Sequence, residues 1–519
     1  MEALTEGAQA TPAGRSAGAL VFVGFMGAGK STAARAIAAE LGAQALDSDR
    51  ELEAELGEPI ESFFDREGEA AFRAREEQVV LRLLERPDAE VVALGGGALG
   101  SEHVRDALGA HTVVHLEVSP DQAWRRASNS SRPLARDRNL FDELHRDRSA
   151  VYEAAADASL PAARRETPRR ALPALVALRE APLPLKLVWA TASSGEYPVY
   201  VGRGLIESGY FHPVDGRRFV VTDENVLRHH RTAAEREIAI TAGEEEKTLA
   251  RAEFVLRQLA QAGTERGDLL VALGGGVVGD LAGFCAAVYQ RGMRHVQMPT
   301  TLVAQVDSAY GGTTGVDLPE GKNYVGAYHQ PSAVLCDPAA LETLPAEELS
   351  AGYAEVVKTA LIAGGPLWSR VRQGREVDEG IVLGCIRTKL SVVAEDERDS
   401  GRRQVLNLGH TIGHAIEAAT GYSRYRHGEA VGIGLLCALR LYGRNSLRDE
   451  VAGLLAARGL PLRFAGASED EVLEVVQRDK KRSGGRVPFV LVEAPGEVTP
   501  GHEPAEAELR AAVTEVREA

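Results

Sequence analysis

The octapeptide GFMGAGKS, Gly24 to Ser31, constrains the folding of this chain more than any other feature. It fits the pattern GxxxxGK[ST], follows the apolar run ALVFV and leads into the helical pattern STAARAIAAELG. Glycines permit the left-handed turn that brings successive main-chain N–H groups around an anion, and a helix N-terminus adds positive potential there. The pattern therefore predicts a phosphate-binding loop between a buried strand and a helix, in an α/β fold.

The overall composition limits the classes of protein to which the chain can belong. Its 519 residues exceed what one core accommodates, and 44% hydrophobic with 26% charged residues is typical of globular domains. A net charge of -16 argues against nucleic acid or a membrane surface as a partner. Four cysteines without CxxC spacing, no signal peptide and no long apolar run predict an enzyme of the reducing cytoplasm.

Two regions show a strand and helix alternation, and a Pro, Ala and Arg-rich stretch separates them. After about Pro345 the strand patterns nearly vanish and amphipathic helical patterns dominate. We therefore predict a flexible N-terminus at 1–18, a P-loop kinase-sized α/β domain with a parallel sheet at 19–160, a linker at 161–186, a Rossmann-like α/β domain at 187–345 and a mainly α-helical domain at 346–519.

The hexapeptide VALGGG occurs twice, at Val92–Gly97 and Val271–Gly276. A duplication would place a second phosphate loop near residue 203, where the chain reads GRGLIESG and lacks a Lys-Ser pair. The shared segment therefore indicates two independent strand-to-glycine turns, each able to bring main-chain N–H groups close to a ligand.

Charged residues in the first half suggest an acceptor pocket beside the phosphate loop. Asp47 and Asp49 end an apolar segment, where one carboxylate can serve hydrated Mg²⁺ and the other a substrate hydroxyl. Acids at a solvated helix N-terminus would give the same pattern. Arg73, Arg132 and Arg148 occur in GEAAFRAREE, RPL and RSAVY, although a single arginine is more often a surface residue than a ligand contact.

Taken in order with ALGGGA, these motifs resemble shikimate kinase over roughly residues 19–158. The resemblance implies that this domain transfers a phosphoryl group from Mg²⁺-bound ATP to shikimate, without a covalent intermediate on the protein. It implies an ATP site of Gly24, Gly27, Gly29, Lys30, Ser31, Thr32 and Arg132, with Ser31 and Asp47 on the Mg²⁺ side. It implies a shikimate pocket of Asp49, Arg73, Gly96, Gly97 and Arg148, in which Lys30 and Asp49 are the catalytic residues.

The second half carries a strand-end acid and a glycine turn of the kind that binds dinucleotides. Asp223 can accept ribose hydroxyls, while Gly275 and Gly276 can receive a pyrophosphate, although a GGG turn alone is weak support.

The helical part contains a cluster of candidate metal ligands. His410 and His414 lie four residues apart on one helical face, with His427 downstream and Glu355 upstream. Three nitrogen and oxygen ligands suit a divalent metal such as zinc with one open position. Helical spacing alone would make both His410 and His414 ligands.

From about Lys186 onward the chain resembles 3-dehydroquinate synthase, through GEEEK, GGGVVGD, RGMRHVQMPTTLVAQVDS, GKNYVGAYHQP, AGYAEVVK, LNLGHTIGHAIE, HGEAV and DKK. The resemblance implies that Glu355, His410 and His427 bind zinc or cobalt, whereas His414 belongs to the substrate proton network. It implies NAD contacts at Asp223, Asn225, Glu244, Lys247, Gly275, Gly276, Asp280, Thr300, Thr301 and Lys322. It implies substrate and catalytic residues at Arg291, Asp307, Asn323, Lys358, Lys389, Arg403 and Asn407, with Lys480 or Lys481 closing over the substrate.

The implied reaction uses NAD as a resident catalyst, releases phosphate and closes a ring by aldol addition. One position departs from the family pattern GGKTG: this chain reads GGTTG, with Thr313 in place of a lysine that contacts the phosphate end of the substrate. Three alternatives for the second half stay open, namely another sugar-phosphate cyclase, a metal-dependent polyol dehydrogenase and a non-catalytic scaffold. The resemblance also implies a homodimer through this half.

Overall fold

The computed structural model describes residues 18–127, 137–212, 214–482 and 489–518, with the main chain alone for 479–482. The chain forms two compact units, the first ending at Trp189 and the second beginning at Ala190.

The first unit is a parallel sheet with helices packed against it. The sheet order is β2-β3-β1-β4-β5-β6, and each of these neighbouring pairs is parallel. Its strands are β1 (Leu20–Val23), β2 (Ala45–Asp47), β3 (Val91–Ala93), β4 (Thr112–Glu117), β5 (Ala158–Pro161) and β6 (Lys186–Thr191), of which residues 186–189 belong to this unit. Its helices are α1 (Lys30–Leu41), α2 (Ser48–Leu56), α3 (Ile60–Leu84), α4 (Glu102–Ala107), α5 (Pro120–Ala127), α6 (Arg138–Ala155) and α7 (Thr167–Arg179).

The apolar strands account for the position of the phosphate loop. Every residue of β1 is buried, as expected for a central parallel strand covered on both faces. β1 lies between β3 and β4, so the loop that follows it emerges at the carboxyl edge of the sheet beside the Gly95–Gly97 turn after β3. That edge is where ligands bind in open α/β sheets.

The segment that composition predicts to be a linker, 161–186, contains helix α7. Ala171, Ala174 and Leu175 are buried, and α7 packs against α1. Pro168 stands in the first turn, where its missing N–H costs no helical hydrogen bond, so the proline-rich composition did not prevent a helix. This segment therefore contributes to the core of the first unit.

The second unit begins with strands in the order β7-β14-β11-β10-β8-β9, and each of these neighbouring pairs is parallel. Its strands are β7 (Glu196–Val201), β8 (Arg218–Asp223), β9 (Arg236–Ile240), β10 (Leu269–Gly274), β11 (Arg294–Pro299) and β14 (Ala333–Cys336). The helices of this part are α8 (Leu249–Gln261) and α9 (Gly276–Val288), and an antiparallel hairpin joins β12 (Thr313–Leu318) to β13 (Gly321–Tyr328).

Helices dominate after Pro345. They are α10 (Ala346–Ala363), α11 (Gly365–Val371), α12 (Glu379–Glu395), α13 (His410–Ala419), α14 (His427–Leu441), α15 (Asn445–Ala456), α16 (Glu469–Arg482) and α17 (Glu506–Glu515). One antiparallel hairpin, β15 (Phe489–Ala494) with β16 (Glu497–His502), interrupts them. The predicted α/β class, with a parallel sheet followed by a mainly helical region, is confirmed.

Two general expectations concern the whole chain. All four cysteines are buried thiols outside any disulfide. Across the described ranges, we find no helix with both the length and the apolar character that crossing a membrane requires.

Candidate active sites

The phosphate loop has the backbone that its glycines predict. Gly24, Gly27 and Gly29 have φ angles of +143°, +81° and +92°, and a Cβ at Gly24 would lie 2.7 Å from the oxygen of Leu116. Lys30 begins α1 and folds back over the loop, with Nζ 2.9 Å from the carbonyl oxygen of Gly24. The amine and the first turn of α1 therefore face the region that an anion would occupy.

Acidic groups lie beside the first GGG turn. Asp47 caps α2 by accepting from the N–H groups of Asp49 and Arg50, and Ser48 Oγ accepts from the N–H of Gly95 at 2.8 Å. A Cβ on Gly95 would lie 2.6 Å from Asp49 Oδ1 and 2.5 Å from an oxygen of Glu76. Glycine at this position therefore lets two carboxyl groups approach the turn.

Two arginines approach the same turn. Arg148 donates to the carbonyl oxygen of Gly96 at 2.9 Å, as does the Tyr152 hydroxyl at 2.5 Å. Arg73 lies flat against Gly97, where a Cβ would come within 1.9 Å of Nη1. The structure thus brings Asp49, Arg73, Gly96, Gly97 and Arg148 to one turn, and their role as shikimate contacts stays a prediction.

A cavity of about 600 Å³ opens at this turn, lined by Arg73, Gly96, Gly97 and Arg148 of the predicted set. Lys30 and Asp49 are not among its lining residues, although a Cβ on Gly96 would lie 3.8 Å from Lys30 Nζ. A neighbouring cavity of about 640 Å³, between Arg105 and α6, contains none of the predicted site residues.

Glu76 is a buried residue that the sequence reasoning did not single out. It pairs with Arg73 Nη1 at 2.5 Å, while Arg73 also contacts the exposed Glu69 at 3.2 Å. Burial raises the pKa of Glu76 despite the opposing charge of Arg73. The signal was available, because Arg73 and Glu76 are three residues apart on one helix.

The second GGG turn starts a helix directly. Gly275 caps α9, and a Cβ there would lie 2.8 Å from Thr301 Cγ2, so the strand end and the segment after β11 approach closely. One turn further, Asp280 pairs with the buried Lys247 at 2.6 Å.

The other predicted nucleotide contacts lie at strand ends of the same sheet or close by. Asp223 ends β8 and caps the next turn by accepting from the N–H of Asn225 at 2.9 Å. Glu244 lies 3.4 Å from Lys322 on β13, and Thr300 directly follows β11.

A buried cluster of charges lies between the sheet and the helical region. Lys358 Nζ is 2.5 Å from Asp307 and 2.5 Å from Glu355, and Lys389 also pairs with Asp307. Burial lowers the pKa of Lys389, and the cations of Lys358 and Arg403 act in the same direction against Asp307. Two lysines therefore share one carboxylate, which leaves Lys389 the easier of the two to deprotonate.

Glu355 meets two histidines at this cluster. The Nε2 atoms of His410 and His427 each lie 3.4 Å from Glu355 Oε1. Neither Glu355 oxygen has a partner with hydrogen-bond geometry among the described residues, although Lys358 lies close to Oε2. Bonds of about 2.1 Å to a tetrahedral metal would put adjacent ligand atoms about 3.4 Å apart, which matches both distances.

The remaining nitrogens of these histidines face acceptors. His410 Nδ1 lies 3.2 Å from the oxygen of Leu408, and His427 Nδ1 lies 3.4 Å from Glu417. Burial alone would lower the pKa of His427, but the adjacent carboxylates of Glu355 and Glu417 outweigh burial and raise the pKa to about 9.

His414 completes the cluster from the same helix as His410. Its ring lies edge-on to that of His410, with centroids 5.3 Å apart, and nitrogen atoms of His410, His414 and His427 all lie within 4.8 Å of one another. Geometry therefore allows His414 as a third imidazole near an ion. Desolvation by the surrounding groups, with positive charge on His410 and His427, lowers the pKa of His414, although the residue is exposed to solvent.

Arg403 is buried and held by main-chain oxygens. It donates to Glu397 O at 2.5 Å and to Gly311 O at 3.3 Å. Asn407 ends the same short helix, Arg402–Asn407, and its side chain hydrogen-bonds to Asp399.

Several predicted residues do not join this cluster. Arg291 is exposed in the turn after α9, and Asn323 has a φ of +57° in β13. Thr313, the first residue of β12, is exposed and pairs in register with Tyr328. Arg132 and the side chains of Lys480 and Lys481 lie outside the described residues.

Comparisons with known proteins agree with this division of the chain. Residues 237–351 match the N-terminal domain and 352–482 the C-terminal domain of 3-dehydroquinate synthase. The 3-dehydroquinate synthase of Halorhodospira halophila is 42% identical over 336 residues, covering 60% of this chain and 94% of that protein. The chain belongs to the 3-dehydroquinate synthase family. The same enzyme of Nitrobacter winogradskyi is 44% identical over 338 residues, covering 58% of this chain and 88% of that protein.

The first unit matches a second family model. Residues 26–176 match shikimate kinase, so this chain is an enzyme with a kinase domain ahead of its synthase domain. That match includes most of helix α7, in agreement with its packing against α1.

Solved structures share the fold of the synthase half. A 2-deoxy-scyllo-inosose synthase complexed with carbaglucose-6-phosphate, NAD⁺ and Co²⁺ is 23% identical with a TM-score of 0.57, covering 64% of this chain and all of that one. A 2-epi-5-epi-valiolone synthase of Streptomyces hygroscopicus with NAD⁺ and Zn²⁺ bound is 24% identical with a TM-score of 0.57, covering 63% of this chain and 98% of that one.

Proposed function

We propose that this chain is a bifunctional enzyme of the shikimate pathway. In the first unit, ATP phosphorylates shikimate to shikimate 3-phosphate. In the second, 3-deoxy-arabino-heptulosonate 7-phosphate cyclises to 3-dehydroquinate and releases phosphate. The family matches support both activities, and the two groups of charged residues supply the chemistry that each reaction needs.

The kinase reaction depends on positioning and charge. Lys30 and the N–H groups of the loop bind the phosphates. The side chain of Lys30 already lies over the loop, with Nζ next to the carbonyl oxygen of Gly24. Ser31 and Asp47 offer the hydroxyl and carboxylate oxygens that Mg²⁺ prefers beside phosphates. Asp49 orients the acceptor hydroxyl next to the glycine turn.

Arg73 and Arg148 hold the carboxylate of shikimate. Arg148 donates through Nη1 to the carbonyl oxygen of Gly96, and its other N–H groups can bind the substrate. Arg73 donates through Nη1 to the buried Glu76. The Nε and Nη2 edge of Arg73 contacts Glu69, whose side chain is 56% exposed. The substrate carboxylate therefore replaces an exposed acid and leaves the buried pair intact.

The residues of the second unit fit a divalent metal. Glu355 supplies a buried oxygen without a hydrogen-bond partner among the described residues, and His410 and His427 supply the nitrogens aimed at it. A divalent ion held here would act as a Lewis acid toward substrate oxygens. One carboxylate and two imidazoles are a ligand set that suits zinc or cobalt.

NAD fits the strand ends of the second sheet. The turn at Gly275 and Gly276 brings the N-terminus of α9 to the position where a pyrophosphate binds, and a Cβ on Gly275 would meet Thr301. Asp223, Glu244, Lys247 and Lys322 provide charged groups nearby. NAD supplies reversible oxidation of a substrate alcohol, without net redox change.

The chain's own residues bind the substrate and move its protons. Arg403 and Asn407 bind the carboxylate, and Lys358 with Asp307 holds a substrate oxygen near Glu355. The lowered pKa of His414 keeps its exposed imidazole neutral, so the ring can accept a proton and return it. Lys389, which shares the Asp307 carboxylate with Lys358, contacts the anionic end of the substrate.

The convergence of His410 Nε2 and His427 Nε2 on one oxygen of Glu355, beside Lys358, carries the proposal for the synthase. The test is phosphate release and 3-dehydroquinate formation from 3-deoxy-arabino-heptulosonate 7-phosphate by the full chain, with shikimate phosphorylation assayed in parallel. His410→Ala should abolish the first activity and leave the second unchanged.

One observation favours a second candidate. Thr313 lacks the charge that the family pattern places at the phosphate end, so another sugar-phosphate cyclase activity is the alternative for this half. Release of phosphate from a different sugar phosphate, with none from the heptulosonate, would select it. Net NADH formation from a simple polyol would instead favour a dehydrogenase, and no turnover with NAD and metal bound would favour a scaffold.

We further propose a cytoplasmic location and a homodimer formed through the synthase half. The four buried thiols support a reducing compartment. Sedimentation equilibrium of the full chain tests the dimer.

A further inference from the structure

Glu417 is a buried carboxylate to which sequence analysis assigns no role. It lies on α13, seven residues after His410 and three after His414, and its side chain is 3% exposed. A buried charge is costly unless it is paired. Among the described residues, Glu417 has partners on two different elements, Lys322 Nζ at 3.0 Å and His427 Nδ1 at 3.4 Å.

The contact with His427 determines which ring nitrogen carries the hydrogen. Between its two carboxylates and without an ion, His427 carries a positive charge, but as a metal ligand it is neutral. A neutral imidazole has one donor and one acceptor nitrogen. A carboxylate at Nδ1 keeps the hydrogen there and leaves the lone pair on Nε2, which lies 3.4 Å from Glu355 Oε1. His410 is held by the neutral oxygen of Leu408, so His427 is the ligand whose basicity a full negative charge increases.

The contact with Lys322 extends in the other direction. Lys322 lies on β13 and also lies 3.4 Å from Glu244, and both are proposed nucleotide contacts. Charges of alternating sign therefore run without a gap through Glu244, Lys322, Glu417, His427 and Glu355. Glu417 is the member that joins the nucleotide side to the metal side.

A bound cation would change the relative strengths of the two contacts that the Glu417 carboxylate makes, with His427 and with Lys322. With an ion on Nε2, the Nδ1–H of His427 would become a stronger donor and would draw the Glu417 carboxylate toward the ring. Lys322 then loses part of its neutralising partner and presents more positive charge to a phosphate of the nucleotide. The two binding events consequently favour each other.

We propose that Glu417 is a positioning residue that fixes the His427 ring for the metal and, through Lys322, couples metal occupancy to nucleotide affinity. This inference rests on the proposed synthase function, because it takes a divalent cation and NAD as the ligands.

Binding measurements on the full chain test the proposal without turnover. Co²⁺ affinity is followed by its visible absorption in competition with a chelator, and NAD affinity by calorimetry with and without Co²⁺. Glu417→Gln should weaken Co²⁺ binding about 10- to 100-fold. In the wild type, Co²⁺ should tighten NAD binding about fivefold or more, and in the variant this factor should approach one.

Glu429→Gln is the matched control, because it makes the same change near His427 on α14. Glu429 accepts from the N–H of Arg426 at 2.8 Å and does not belong to the alternating series. The control should keep the wild-type Co²⁺ affinity and coupling factor.

A second variant protects the test if Glu417→Gln fails to fold. Lys322→Gln leaves the contact between Glu417 and His427 intact, so it should keep Co²⁺ affinity within a few-fold but abolish the coupling. Circular dichroism establishes folding for each variant.

Unchanged Co²⁺ affinity in folded Glu417→Gln would overturn the positioning role, and an unchanged coupling factor in folded Lys322→Gln would overturn the coupling. Wild-type protein that binds neither Co²⁺ nor NAD would refute the proposed synthase function instead, so the two failures are distinguishable.

Discussion

Arg403 donates through Nη1 to the main-chain oxygen of Glu397 at 2.5 Å. The side chain of Glu397 is in turn fixed by the N–H of Ser194, the hydroxyls of Ser193 and Ser194, and the amide of Gln330 at 2.9 Å. A single buried carboxylate thus anchors the segment from which Arg403 reaches the proposed substrate.

Glu397→Ala should lower kcat/KM of the synthase reaction by about tenfold or more, since it loosens a charge-assisted contact of about 1.5 to 3 kcal/mol. Phosphate release measures the loss, and shikimate phosphorylation in the other unit is the internal control. Wild-type kcat/KM in a folded variant would contradict the anchoring role.

The same carboxylate predicts a pH dependence of stability. Burial alone would raise the pKa of Glu397, but hydrogen bonds from Ser193, Ser194 and Gln330 lower it to about 2. A depressed pKa stabilises the folded state above the unfolded value, and this stabilisation is lost as pH falls through the folded pKa. The difference in unfolding free energy between wild type and Glu397→Gln should therefore shrink as pH falls from about 5 to 3. A pH-independent difference in denaturant titrations would contradict this.

Glu69→Gln should lower the KM for shikimate by up to about fivefold, because an exposed ion pair of about 0 to 1 kcal/mol no longer competes for Arg73. Glu67→Gln is the matched control, since Glu67 is similarly exposed but pairs with Arg66 at 3.0 Å. A KM that rises in the Glu69 variant would instead indicate that Glu69 orients Arg73 for the substrate.

Thr313→Lys should lower the KM of the synthase substrate by about tenfold, because it restores a cation worth about 1.5 to 3 kcal/mol at a bound phosphate. Thr313 is exposed and pairs with Tyr328, whose ring lies 5.9 Å from the Arg403 guanidinium, so a longer side chain has room near the proposed site. Thr313→Met is the control for length without charge. An unchanged or higher KM would reject the electrostatic argument.

Local patterns predicted the features that depend on neighbouring residues. The phosphate loop needs only a strand, glycines and a helix in sequence, and the four-residue spacing of His410 and His414 places both on one face of α13. Arg73 and Glu76 are three residues apart on α3, so their ion pair could have been predicted from the spacing alone.

Contacts between segments that are far apart in the chain could not be predicted from the sequence. Glu397 meets Ser194 across 203 residues, and no spacing rule relates them. Pro168 and Pro173 made the sequence of α7 look like a linker. The burial of Ala171 and Leu175, in a helix that packs against α1, stabilises α7 by more than the low helix propensity of proline costs.

Helix α7 also determines where the protein can be cut. A fragment ending at residue 160 would lack α7 and β6, and would expose the apolar surfaces of α1 and β5 that they cover. Such a truncated kinase is expected to aggregate on expression, so separate production of the first enzyme requires a chain that continues beyond Arg179.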